Sequence, residues 1–152
     1  MGLATLLHVL GVVVWVGGMF FAYMALRPVA VDVLQPPLRL PLWAGVFRRF
    51  FPWVWLSILL ILTSGFALIG MLGGMGAVGW HEHAMLAIGV VMMLIFVYIY
   101  FGPFARLKSF VQADDWKLAG QALGTIRHLI AINLSLGLLN IVLAKAALIL
   151  SN

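Results

Sequence analysis

Residues 53–72 read WVWLSILLILTSGFALIGML, an apolar run without a single charge. A bilayer core about 30 Å thick requires about 20 mostly apolar residues of helix, so this run is long enough to cross it. Three similar runs complete the pattern, and the predicted spans are roughly 3–26, 53–72, 83–104 and 128–150. Inside lipid each backbone N–H and C=O group needs a partner within the chain, which makes each run a helix. The sequence therefore predicts an all-α, four-helix transmembrane bundle.

The composition leaves little material for anything outside this bundle. Hydrophobic residues make up 65% of the 152 residues and charged residues 9%, which is too few charges to solvate a globular surface. We expect a single domain over residues 1–152, surrounded by the lipid bilayer. The absence of cysteine excludes disulfides, thiolate metal ligands and cysteine nucleophiles. The net charge of +5 does not indicate nucleic-acid binding, because the basic residues flank the apolar spans.

The positive charges set the expected orientation. Eight of the nine Lys and Arg residues follow the first or the third span, whereas the loop at 73–80 carries none. Because Lys and Arg are enriched in cytoplasmic loops, we expect both termini and the 73–80 loop on the non-cytoplasmic side. The first run has no basic leader and no small-residue cleavage site, so we expect it to remain as a span rather than be removed as a signal peptide.

The two basic loops give different local signals. Five prolines between residues 27 and 52 predict that no unbroken helix runs through the first loop. Aromatic residues beside Arg48 and Arg49 indicate a short amphipathic segment in the inner interface. In the other loop, Asp114 and Asp115 precede Trp116, which is typical of a helix N-cap. We therefore expect the last helix to begin near Asp115.

A histidine inside an apolar span is costly to bury and is therefore a candidate functional residue. His8 lies about 8 Å below the outer end of the first span, and its helix face also carries Gly11, Trp15 and Gly18. The two glycines leave room either for a flat ligand or for a closely packed neighbouring helix. The alternative is that His8 only hydrogen-bonds a carbonyl of another helix.

A His-Glu-His motif from His81 to His83 opens the third span. Side chains two residues apart on a helix point about 200° apart, so the two histidines cannot face the same partner. The His83 face continues through apolar side chains only. The His81 face continues through Met85, Gly89 and Met92. The alternative for the pair is a solvated interfacial cluster without a function.

Two kinds of cofactor site fit these residues. Haem b requires two strong axial donors on different helices, and His8 with His83 would meet that requirement near the periplasmic face. Copper(I) prefers imidazole and thioether ligands, which His81, Met85 and Met75 would supply. The leading hypothesis is a haem protein that transfers electrons with a quinone or a periplasmic redox partner. The alternatives are a copper-handling transporter, and a scaffold whose histidines only cross-link helices.

The last helix carries polar residues of a different kind. His128 stands at its cytoplasmic start and is expected either to face lipid headgroups or to cap the helix. Asn133, Gly137 and Asn140 share one face, where buried amides cross-link helices or line a polar path. Since no nucleophile–base pair, phosphate loop or carboxylate pair is present, no catalytic residue is assigned. A membrane oxidoreductase activity stays open, and so does the oligomeric state.

Several motifs occur together in this chain: Leu7-His8-Val9-Leu10-Gly11, Trp15-Val16-Gly17-Gly18-Met19-Phe20, Phe47-Arg48-Arg49-Phe50-Phe51, Thr63-Ser64-Gly65, and Arg127 with Asn133 and Leu136-Gly137. With them the chain resembles the copper-resistance D family of bacterial inner-membrane proteins. The resemblance implies a multi-pass bundle of the inner membrane with a histidine-centred haem or copper site. The superfamily is similar to the membrane protoporphyrinogen oxidases, which carry a first-span histidine at the position of His8. Their histidine-x-lysine reads His83-Ala84-Met85 here, so their activity is not carried over.

Overall fold

The structure, a computed structural model, describes the backbone of residues 2–150 and the side chains of residues 2–145. It is helical with no strand in that part of the chain, and its helices are α1 (Gly2–Phe21), α2 (Arg27–Val33), α3 (Pro36–Met71), α4 (Trp80–Phe101), α5 (Pro103–Gln112) and α6 (Trp116–Leu150). A π-helical turn over Ala22–Leu26 joins α1 to α2. The all-α prediction is confirmed. The expected single domain over 1–152 stays a prediction, and its terminal residues lie outside the described part.

Four helical stretches are long and apolar enough to cross a membrane, as predicted: Gly2–Val33, Pro36–Met71, Trp80–Gln112 and Trp116–Lys145. Two of the helices are much longer than a span needs. Helix α3 has 36 residues and α6 has 35, so each measures about 50 Å along its axis, against about 30 Å for the bilayer core. The excess lies at the basic end of the bundle, because both helices begin well before the predicted spans.

The expected break in the first loop is confirmed at Leu34 and Gln35, which separate α2 from α3, but two of the five prolines do not break the helix that follows. Helix α3 runs from Pro36 to Met71 without interruption, through Pro41 and Pro52. Its first two residues are prolines, which lose no hydrogen bond there because the first N–H groups of a helix are unpaired anyway. An interior proline costs about 3 kcal/mol, so Pro41 and Pro52 require compensation from the packing of the same helix.

That compensation comes from the aromatic residues expected to lie in the interface. Phe47 stacks on Phe51 with ring centroids 5.1 Å apart, and Phe51 meets Phe96 and Phe104 edge-on. Trp43, Phe47 and Phe51 are all buried, Phe47 to 1% exposure. The contacts of these rings with one another and with Phe96 of α4 and Phe104 of α5 hold the helix in place between Pro41 and Pro52. The segment is therefore not a separate short piece, because it is part of α3 and its aromatic side chains pack in the bundle core, whereas its position in the inner interface stays a prediction.

The second basic loop contains the short amphipathic helix, α5. Its buried face carries Phe104 and Leu107, whereas Arg106 and Lys108 are exposed. After a turn, the backbone N–H of Leu118 donates to Asp115 Oδ1 at 3.0 Å. This bond satisfies one of the unpaired N–H groups in the first turn of α6. The predicted helix start near Asp115 is confirmed.

Glycines allow the spans to approach one another closely. A Cβ atom at Gly11 of α1 would lie 2.9 Å from Ile61 Cγ1 and 3.1 Å from the carbonyl oxygen of Ser57 on α3. A Cβ atom at Gly137 of α6 would lie 2.9 Å from Val16 Cγ2 on α1. Of the two readings of Gly11, close helix packing is confirmed, and no slot for a flat ligand exists at that glycine.

Two asparagine side chains cross-link α4 and α6. The Nδ2 atom of Asn133 donates to the carbonyl oxygen of Met92, and Nδ2 of Asn140 donates to the carbonyl oxygen of Met85, each at 3.2 Å. The predicted cross-linking role of these amides is confirmed. Their Oδ1 atoms are buried and have no hydrogen-bond partner among the described residues.

Candidate functional site

Two cavities occupy the half of the bundle that adjoins the loop between α3 and α4. The α3–α4 cavity has a volume of about 300 Å³ and reaches Leu72 and Glu82 at the end of the bundle. The α1–α6 cavity has a volume of about 320 Å³ and reaches Trp15 in the bundle core. Both are lined by His8, Ile61, Met85, Gly89, Met93 and Asn140. These shared residues stand where the two cavities meet, and His8 is one of them.

His8 is half-buried on α1 and held by a residue of α3. Its Nδ1 atom lies 3.0 Å from Ser64 Oγ, and the Ser64 hydroxyl donates to the carbonyl oxygen of Leu60. Because a hydroxyl has one hydrogen to donate, this arrangement favours the tautomer in which His8 Nδ1 donates to Ser64 Oγ. The neutral imidazole then carries its lone pair on Nε2, the form in which histidine binds a metal ion.

Gly65 makes room for this imidazole. A Cβ atom at Gly65 would lie 3.4 Å from His8 Cε1, so the ring packs directly over the glycine. Ser64 and Gly65 together fix the position of the ring. Sequence reasoning quoted Thr63-Ser64-Gly65 only for a family resemblance and missed its contact with His8. The two residues lie 56 positions apart, so no local pattern could link them.

Helix α4 presents one stripe of side chains to the cavities. Glu82, Met85, Gly89 and Met93 follow one another at intervals of three or four residues, the spacing of one helix face. The expected stripe of Met85, Gly89 and Met92 does line the cavities. The first residue of this stripe is Glu82 rather than the expected His81. Sequence analysis did not assign Glu82 to a site.

The other ligands expected from the sequence lie outside the cavities. Within residues 2–145, His81, His83 and Met75 line neither cavity. His83 is exposed, and its Nδ1 donates to the carbonyl oxygen of Gly79 at 2.8 Å. His81 Nε2 contacts Glu82 Oε1 at 3.0 Å. The structure thus brings His8 together with Met85, and it does not bring His8 together with His83.

Most of the candidate ligand atoms around the cavities are soft, and each of them can give a lone pair to a metal ion. The same described range holds no cluster of three or more His, Cys, Asp or Glu side chains around a common point. The residues that line the cavities instead include the imidazole of His8, the thioethers of Met85 and Met93, the amide of Asn140 and the carboxylate of Glu82. Imidazole and thioether suit copper(I), whereas harder cations prefer oxygen ligands. Chemically, these residues could hold a soft cation.

Comparison with known proteins identifies a family. Residues 44–148 match the family described as Copper resistance protein D. No curated protein and no solved structure matches the chain. The matched residues include most of α3 and all of α4, and α1 with His8 precedes them. No link to the protoporphyrinogen oxidases emerges from these comparisons. Since the match covers more than half of the 152 residues, the chain belongs to the copper resistance protein D family.

Proposed function

We propose that this membrane protein handles copper(I), in copper transport or copper resistance, and binds the ion where its two cavities meet. Membership of the copper resistance protein D family supports copper as the substrate. One structural observation carries the assignment to this place. The His8 imidazole, oriented by Ser64, lines the same cavities as Met85 and Met93.

The walls of the cavities favour this substrate over hydrated ions. Apart from His8, Glu82 and Asn140, the residues lining the α3–α4 cavity are apolar. An ion that enters must therefore lose most of its water, and a hard ion regains little from thioether sulfur. Copper(I) binds sulfur and imidazole nitrogen strongly, so it recovers its hydration energy in such a site. Copper is the cargo of the protein in this proposal.

The haem hypothesis has weaker support. The family match points to copper, and His83, the expected second axial ligand, is exposed and outside the cavities that His8 lines. Haem binding and electron transfer with a quinone or periplasmic partner remain predictions that no comparison supports. Of the copper ligands expected from the sequence, Met85 lines the cavities. Met75 lies in the loop between Leu72, which lines the α3–α4 cavity, and the start of α4.

The orientation in the membrane follows the basic residues. We place the cavities in the outer half of a bacterial inner membrane, because eight of nine Lys and Arg residues lie at the opposite end of the bundle. A reporter that functions only outside the cytoplasm should be active when fused after Gly76 and inactive after Ser109. The reverse result would place the cavities on the cytoplasmic side.

The test of the proposed function is the metal content and absorption spectrum of the purified protein. The protein is purified in detergent, loaded with copper(I) against a colorimetric copper(I) chelator, and freed of excess metal. We expect one copper(I) per chain and no Soret absorption band. A Soret band that shifts on reduction, together with failure to retain copper(I), would replace this proposal with the haem hypothesis.

A further inference from the structure

Glu82 differs from the other acidic residues of this chain in its position. The chain has four carboxylate side chains, and Asp32, Asp114 and Asp115 lie in α2 and in the loop before α6, at the basic end of the bundle. Glu82 lies in the first turn of α4, at the opposite end. Among the described residues, Glu82 is thus the one carboxylate in the half of the bundle that contains the cavities.

The Glu82 carboxylate belongs to the wall of the α3–α4 cavity. It is one turn of helix before Met85, and both side chains line that cavity together with His8 and Asn140. One carboxylate oxygen, Oε1, contacts His81 Nε2 at 3.0 Å. The other, Oε2, is buried and has no hydrogen-bond partner among the described residues. The Glu82 side chain is 31% exposed and its Oε2 lies against Gly79, so the carboxylate stands at the rim of the cavity with one oxygen free to interact with a cation there.

The charge of an ion in this cavity needs compensation. Met and neutral His ligands carry no charge, so an ion held by His8, Met85 and Met93 alone would keep its full charge between apolar walls. Taking an isolated charge out of water costs far more than the protein can supply, unless an opposite charge lies close by. One carboxylate cancels one positive charge. A divalent ion at the same place would leave a net charge of +1 uncompensated.

We infer that Glu82 is the counter-ion of the copper site, and that this single carboxylate makes the site selective for a monovalent soft cation. The inference rests on the proposed function and deepens it, since it names the residue that balances the charge of the bound ion. It also explains why a chain with a net charge of +5 has a carboxylate at the mouth of its apolar cavity.

A purely structural role for Glu82 makes a different prediction. A carboxylate in the first turn of a helix interacts favourably with the helix dipole and with unpaired N–H groups. If this were all that Glu82 does, Glu82→Gln would lower the thermal stability of the protein and leave ion affinity unchanged. If Glu82 is the counter-ion, Glu82→Gln should lower the affinity for the ion and leave the thermal stability of the protein unchanged.

The experiment measures silver(I) binding, because silver(I) is a monovalent soft ion that does not change oxidation state under these conditions. Cadmium(II) serves as the soft divalent comparator. Affinities are measured by competition titration for the wild type, Glu82→Gln, Glu82→Asp and Asp32→Asn, a carboxylate removal at the other end of the bundle. We expect Glu82→Gln to weaken silver(I) binding by about tenfold or more, since the attraction between unit charges is large at low dielectric. Glu82→Asp should restore most of the affinity, and Asp32→Asn should not change it.

The outcomes separate this inference from the proposed function. If Glu82→Gln binds silver(I) as well as the wild type, while His8→Ala does not bind it, the counter-ion role is wrong and the copper site stands. If the wild type binds no silver(I) or copper(I), the proposed function itself fails. If Glu82→Gln does not fold, the wild-type protein alone provides the test. The inference is wrong if the wild type binds cadmium(II) as tightly as silver(I), because the site is then not selective for a monovalent ion.

Discussion

The His8→Ala variant is expected to lose copper(I) binding. In the proposed site the imidazole is the nitrogen ligand, and the contact of its Nδ1 with Ser64 Oγ fixes the orientation of the ring. Removing an outer partner of a metal ligand costs about 10–100-fold in affinity, so removing the ligand itself should cost more than about 100-fold. Competition titration of the purified variant with a copper(I) chelator measures this loss. The variant should still insert into the membrane, because spanning depends on apolar length.

His83→Ala is the matched control for this substitution. It removes the same imidazole from the exposed side of α4, outside both cavities, and should leave copper(I) affinity close to that of the wild type. Two results would contradict the account. One is a His8→Ala protein that binds copper(I) normally, and the other is an equal loss of binding in both variants.

The second large effect is expected from Gly89→Leu, which fills the cavities. Gly89 lines both of them, and a Cβ atom built there meets nothing within 4 Å. The position therefore accepts a Cβ atom without a clash, and the rest of a leucine side chain would take the space of the ion. Copper(I) binding should therefore fall sharply. Thermal stability should rise, since leucine is a better helix former than glycine by roughly 0.5–1 kcal/mol.

Gly17→Leu separates the filled cavity from the change in helix propensity. Gly17 lies on α1, is exposed, meets nothing within 4 Å, and lines neither cavity. It should give a similar gain in stability with no loss of copper(I) binding. If Gly89→Leu binds copper(I) as tightly as Gly17→Leu does, the ion does not occupy these cavities.

The sequence was informative where structure depends on neighbours along the chain. Apolar length predicted the four spans, and the Asp-Asp-Trp pattern predicted the start of α6. The rule that proline breaks helices held at residues 34–35, just before α3, and failed at Pro41 and Pro52, where Trp43, Phe47 and Phe51 pack in the core. Propensity describes one residue at a time, whereas the packing that overrides it comes from distant parts of the chain.

The candidate site could be predicted only in part for the same reason. His8, Met85, Gly89 and Met92 were recognised from their helical spacing, and all of them line the cavities. The periodicity of α4 alone did not show whether His81 or Glu82 is the first residue of the row that lines the cavities. The packing of the neighbouring helices determines which face of α4 points inward. Ser64 and Asn140 reach their partners across more than 50 residues, so their contacts arise only in the folded bundle.

The most direct test of the central claim is X-ray absorption spectroscopy of the copper(I)-loaded wild-type protein at the copper edge. The claim is that the ion is held by the His8 imidazole and by methionine sulfur from α4. The account predicts an inner shell that contains both sulfur and one imidazole nitrogen, and the imidazole signal should be missing from any copper retained by His8→Ala. An inner shell of only nitrogen and oxygen, or of only sulfur, would contradict it.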